Sequence, residues 1–120
     1  MTPSASTGWV LLLGDRVAHS VSPAIHNAGF DALGLDLVYL ASAVPPDRIA
    51  EAVAGLHALG GVGANVTVPH KEAAFALADT LGPVARATRA VNTLVRTPDG
   101  WRGHNTDVSS TPRSAVTIPS

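Results

Sequence analysis

The chain has 120 residues, a formal net charge of −1 and no cysteine. That balance gives no basic field for a nucleic acid and no polybasic run for an anionic membrane, and it excludes a disulfide framework or a thiolate zinc site. With 46% hydrophobic and only 14% charged residues, the length fits one domain with ample core material, part of whose surface is suited to being covered.

Residues 1–8 are small and polar and read as a disordered lead-in. There is no basic n-region, the apolar run at Trp9–Leu13 is too short for a signal peptide, and no stretch approaches the ~18 apolar residues of a membrane-crossing helix. The expected location is therefore cytoplasmic. Trp9–Leu13, stopped by Gly14-Asp15, has the pattern of a strand buried on both faces. Ser22-Pro23 signals a helix start, with Ser22 as N-cap and Pro23 in the first position. Ala24, Ile25, Ala28, Phe30 and Leu33 give that helix a rough apolar face, and Gly34 ends it.

Asp36–Val44 reads as a second strand, broken by Pro45-Pro46, with Asp47 placed to cap the next helix. Ile49, Ala52, Val53, Leu56 and Leu59 repeat at a helical period, closed by Gly60-Gly61. A third strand, Val62–Val68, is followed by a helix over about His70–Asp79, with Ala73, Ala74, Leu77 and Ala78 inward. After Gly82-Pro83 a short Ala-rich turn runs to about Arg89. Val91–Arg96 and Trp101–Gly103 then flank Thr97-Pro98-Asp99-Gly100 as a hairpin. The remainder, 109–120, is polar and reads as an unstructured tail. Strands alternating with helices imply an α/β fold, a mostly parallel open sheet covered by helices, with a terminal β-hairpin.

The glycines at 60–63 do not make a dinucleotide loop, because they precede a strand and the third glycine of the pattern falls on Val66. The five histidines lack metal-ligand spacing, so no metal is expected and surface or capping roles are. Three polar residues stand out at the end of the third strand: Asn65, Thr67 and, just into the next helix, Lys71. Binding sites in open α/β sheets collect at such strand ends. Ser20 and Ser22, at alternate positions before a helix, suit an anion; equally, Ser22 simply caps the helix and Ser20 is a loop residue. Lys71 alone is an ordinary lysine at a helix start. A nearby carboxylate would hold it in place, and Asp107 is the candidate, although Asn-Thr-Asp is also common loop chemistry.

Taken together, HSVSPAIHNAGF (19–30), GANVTVPHKEAA (63–74), AVNTL (90–94) and GHNTD (103–107) resemble, in order and spacing, the N-terminal substrate-binding domain of shikimate dehydrogenases. The resemblance covers about residues 9–108. It implies that Ser20 and Ser22 bind the substrate carboxylate. It implies further that Asn65, Thr67, Asn92 and Asp107 line the ring-hydroxyl side, and that Lys71 and Asp107 form the catalytic pair. The implied reaction is reversible reduction of 3-dehydroshikimate to shikimate with NADPH, in aromatic amino acid biosynthesis, with Lys71 supplying the proton. The expected partners are these small molecules and a separate NADP-binding domain, with neither nucleic acid nor membrane.

Two departures from the family accompany this. Arg89 stands where the family usually has Gly before AVNT, a change that strains a tight backbone approach. No second Gly-rich strand-to-helix turn follows the NTD motif, so this chain alone is expected to bind no NADP(H). It reads as a substrate domain truncated near residue 108 and inactive by itself. A stand-alone shikimate- or quinate-binding or regulatory module, and a non-functional remnant, are the alternatives.

Overall fold

The apolar run at Trp9–Leu13 forms the strand on which the sheet is built. In the computed structural model, which describes residues 2–107, β1 (Gly8–Gly14) has a parallel neighbour on each side, β2 (Leu37–Ala43) and β3 (Gly63–Val66). The expected tail at 109–120 lies outside the described residues. Beyond β3 come the hairpin strands β5 (Thr93–Thr97) and β6 (Gly100–His104), both paired antiparallel, and the short β4 (Thr80–Leu81), which pairs parallel with β6. The strand order is β2-β1-β3-β5-β6-β4. The hairpin closes over Pro98-Asp99, with Thr97 opposite Gly100.

Alternation along β1 divides the core. Leu13 faces a cluster with Ile49, Val53, Leu56, Ala64, Val66, Ala74, Ala85, Val91, Leu94 and Trp101, half of them supplied by α2 (Ile49–Ala58), α3 (Lys71–Leu77) and α4 (Pro83–Thr88) and most of the others by the strands β3, β5 and β6. Leu12 points to the other face and packs with Val17 and Tyr39, beside Val10, Phe30 and Ala41. Burying each such Leu, Ile or Val stabilises the fold by about 1.5–3 kcal/mol. The helical period read at 49–59 is borne out, with Ile49, Val53 and Leu56 buried; Leu59 instead lies exposed at the C-cap. Gly60, at φ 90°, is a helix stop, as the rejection of a dinucleotide loop implied. Trp101 seals this layer, its Nε1 donating to the Val53 carbonyl at 3.2 Å and its ring meeting His57 edge-on.

The first helix differs from expectation. α1 (Ser22–Leu33) leaves Ile25 and Leu33 54% and 74% exposed, and presents His26, Asn27 and Phe30 inward. The inward face is chosen by specific contacts. His26 stacks on Tyr39 at 4.2 Å, and the Asn27 amide bonds the backbone N–H and C=O of Tyr39. Nor is Ser22 the N-cap. Val21 occupies that position, and the Ser22 amide donates to Ser20 Oγ at 3.1 Å. The ending at Gly34 is as read, left-handed at φ 67°.

Asp47 does not cap α2 either. It lies inside a 3₁₀ turn, Pro46–Arg48, that leads into the helix. The lead-in also has structure. The Thr7 amide donates to the Ser4 carbonyl, and Thr7 Oγ1 donates to Asp36 at 2.7 Å, anchoring the turn beside the start of β2.

Candidate active site

The topology brings the chemistry-bearing residues to one end of the sheet. β1 and β3 run parallel, so the segments leaving them, one carrying Ser20 and Ser22 and the other Thr67 and Lys71, emerge on the same side. β5 runs antiparallel to β3 with Thr93 opposite Asn65, which puts Asn92 at this end. β6 returns with His104 opposite Thr93, so Asn105, Thr106 and Asp107 follow there too.

Backbone bonds fix the segment between Asn65 and Lys71. Thr67 N–H donates to Leu13, the Thr67 carbonyl accepts from His70 N–H, and the Val68–Pro69 bond is cis. His70 is not a surface residue: it takes the N-cap position of α3 without a side-chain cap bond, is 1% exposed, and its Nε2 lies 2.8 Å from the Val44 carbonyl. That ring pins the start of α3 to the end of β2, and Lys71 is the first residue of the helix. The Lys71 carbonyl accepts from Val91 N–H, tying it to the strand segment that bears Asn92.

Lys71 Nζ reaches Asp107 Oδ2 at 3.4 Å, with both side chains partly open to solvent. A pair of this kind contributes only about 0–1 kcal/mol to stability, so its value lies in placement. Asp107 Oδ1 accepts from Asn92 Nδ2 at 3.1 Å, and Asn92 itself is 2% exposed. Asn105, read only as loop chemistry, builds the corner that aims Asp107: its Oδ1 accepts the Asp107 amide and its Nδ2 donates to Thr88 Oγ1, each at 2.9 Å. Asn65, 6% exposed, accepts from the Tyr39 hydroxyl at 2.8 Å and donates to Thr93 Oγ1 at 3.4 Å.

Asn65, Lys71, Asn92 and Asp107 therefore share one network. Ser20 and Ser22 lie at the same end of the sheet as a separate local pair. Their helix end offers fewer free amides than expected: Ser22 N–H goes to Ser20, Pro23 has none, and Ile25 N–H goes to Val21. What the pair offers an anion is hydroxyl donors. Thr67 borders a cavity of about 290 Å³ with Asp15, Arg16, Val68 and Pro69, none of them a member of the network. Tyr39, Thr93, Asn105 and Thr106 were missed by sequence reasoning. Thr93 and Thr106 adjoin chosen residues, whereas nothing local marks Tyr39, which acts from two strands away.

Neither strand-to-helix segment after β1 or β3 carries a Gly-rich turn, and so neither fits a dinucleotide phosphate. Among the described residues no cluster of three or more His, Asp or Glu side chains is arranged to hold a metal, and no helix is long and apolar enough to cross a membrane.

Comparison with known proteins gives a consistent picture. A family model described as the shikimate dehydrogenase substrate binding domain matches residues 12–94. A shikimate dehydrogenase (NADP(+)) from Moorella thermoacetica is 56% identical over 110 residues, covering 92% of this chain and 37% of that protein. One from Anaeromyxobacter sp. strain Fw109-5 is 54% identical over 99 residues, 82% of this chain and 36% of the relative. Among solved structures, shikimate 5-dehydrogenase from Listeria monocytogenes, in complex with shikimate and NAD, superposes with a TM-score of 0.86 at 36% identity, covering 91% of this chain and 38% of that one. The chain thus spans little more than a third of the length of the relatives it matches. The chain belongs to the shikimate dehydrogenase family, as its substrate-binding domain.

Proposed function

We propose that this chain binds shikimate and 3-dehydroshikimate at the Lys71–Asp107 corner and is the substrate half of an NADP-dependent shikimate dehydrogenase. The observation that carries this is the Lys71–Asp107–Asn92 cluster at the ends of β3, β5 and β6, within a domain whose relatives bear that activity. A polyhydroxy ring carboxylate needs anion donors at one side and a row of hydroxyl partners at the other. Ser20 and Ser22 supply the first; Asn65, Thr67, Asn92 and Asp107 supply the second.

When the ring ketone is reduced, negative charge develops on its oxygen. The Lys71 ammonium stabilises that charge and transfers its proton to the alkoxide, an interaction that strengthens only in the transition state. Asp107 holds the ammonium in place and accepts from a ring hydroxyl. No residue described here is assigned to NADP(H), which the relatives name as their cofactor.

Calorimetric titration of shikimate into the purified chain tests the binding. Saturable heat that is lost in Asp107→Ala supports the reading; no heat at millimolar ligand overturns it. With the domain joined to a relative's cofactor domain, Lys71→Ala should lower kcat far more than it raises KM. The reverse split would remove Lys71 from the chemistry.

A further inference from the structure

A continuous series of side-chain hydrogen bonds crosses the sheet from β2 to the residues after β6, and its direction is fixed by chemistry. At one end Asp107 Oδ1 is a carboxylate oxygen and can only accept, so the Asn92 group facing it at 3.1 Å is the amide nitrogen. The opposite group, Asn92 Oδ1, accepts the Thr106 backbone N–H at 3.1 Å, which independently sets the same orientation. Asn92 Oδ1 also accepts from the Thr93 hydroxyl at 3.0 Å. With its proton committed there, Thr93 Oγ1 accepts, and Asn65 faces it with Nδ2 at 3.4 Å. Asn65 Oδ1 is thereby turned to the Tyr39 hydroxyl, 2.8 Å away. The Tyr39 phenol, pushed up to about 12 by burial, stays protonated and serves as the donor that begins the series.

We infer that Tyr39 and Thr93 are positioning residues of this site: the phenol and the threonine hydroxyl orient the Asn65 and Asn92 amides so that every donor in the series points toward Asp107. This rests on the substrate-site reading above. Asn65 then keeps one N–H, not used by Thr93, for a ligand hydroxyl. Asp107 keeps Oδ2 for Lys71 and receives a donor on Oδ1. Without the phenol, Asn65 is oriented only by its long 3.4 Å bond to Thr93 and its Oδ1 loses its donor, so a flipped amide, which would present an oxygen where the ligand needs a donor, becomes far less costly. The ring of Tyr39 is itself held, stacked on His26 and bonded through its backbone to Asn27.

The experiment uses the full chain, labelled with nitrogen-15, and reads the side-chain amide resonances of Asn65 and Asn92 without ligand. Tyr39→Phe keeps the ring and removes the hydroxyl, and both amides should move. In a Thr93→Val background, Tyr39→Phe should move Asn65 alone, and Thr93→Ser should restore the response at Asn92. If Asn92 stays still in Tyr39→Phe, or still moves when Thr93 is replaced by Val, the series is overturned. Should Tyr39→Phe fail to fold, 3-fluorotyrosine incorporation replaces it, because Tyr39 is the chain's single tyrosine; the stronger donor should move both amides, and a still Asn92 overturns the series. Shikimate is then titrated. Tyr39→Phe should weaken binding about tenfold, the loss of one net hydrogen bond, and full affinity with moved amides overturns the positioning role. A wild-type chain that binds no shikimate overturns the substrate reading instead, a result separate from the amide response.

Discussion

The side chain of Asn27 takes up both backbone polar groups of Tyr39, its Nδ2 donating to the carbonyl at 2.9 Å and its Oδ1 accepting from the amide at 2.8 Å. β2 is an edge strand of the sheet and carries no charge or proline, so its free side is a template for pairing with another chain. Asn27 blocks that template at its middle. Asn27→Ala should cost about 1–3 kcal/mol and should also make the protein self-associate. Thermal unfolding and sedimentation velocity over a range of concentrations check the two effects separately.

Arg89 holds a left-handed conformation, φ 57° and ψ 34°, at the end of α4. A side chain there costs roughly 1–2 kcal/mol, while its guanidinium, 5.2 Å from the Phe75 ring centroid, returns about 0.5–1 kcal/mol. Arg89→Gly relieves the first and forfeits the second, so a net gain of up to about 1 kcal/mol and a few degrees in Tm is expected. Arg89→Ala keeps the strain and loses the ring contact, and its Tm should fall.

Tyr39 gives a clean alkaline signature. Burial raises its phenol from 10.0 to about 12, so the folded state keeps its proton where the unfolded chain loses it. The associated stability is complete below pH 10 and is lost as pH rises from 10 towards 12. As the single tyrosine, Tyr39 can be followed by tyrosinate absorbance. The native chain should remain un-ionised well past pH 10, and Tyr39→Phe should flatten the alkaline fall in stability measured by urea unfolding.

His104 acts on the acid side. Burial, and then the neighbouring Arg102, lower its pKa below 6.5. The unfolded chain therefore binds the proton first, and the stability contributed by neutral His104 is lost as pH falls below 6.5. His104→Gln should lose less stability than the native chain between about pH 7 and 5.

Asp107→Asn separates placement from stability. The substituted side chain keeps a carbonyl that can still accept from Asn92, but the ionic partner of Lys71 is gone. The Tm should change by the small amount due to a partly exposed pair, about 1 kcal/mol or less. Shikimate affinity should fall at least about tenfold. A lowered Tm with unchanged shikimate affinity would make Asp107 a purely structural residue.

What could be read in the sequence follows the range of the forces involved. The strand at Trp9–Leu13, the period of Ile49, Val53 and Leu56, and the stops at Gly34 and Gly60 are local patterns, and each stands in the structure. The expectation of strain at Arg89 comes from the resemblance alone, which implies a glycine and a tight backbone approach there; the structure shows a left-handed backbone at that residue. α1 misled because Ile25 and Leu33 look like a core face while His26 and Asn27 make the contacts that orient it. β4 has only two residues and exists by pairing with β6, so it leaves no periodicity to find. The Tyr39–Asn65 bond joins residues 26 apart in sequence across two strand spacings, and no spacing rule encodes it.

The pairing of Lys71 with Asp107 spans 36 residues, with the whole β5–β6 hairpin between them. A ribosome delivers the lysine, and the parallel core that holds it, well before the carboxylate emerges. The corner is therefore assembled only once β6 and the residues after it are in place, and a chain cut before β6 would lack the carboxylate that faces Lys71.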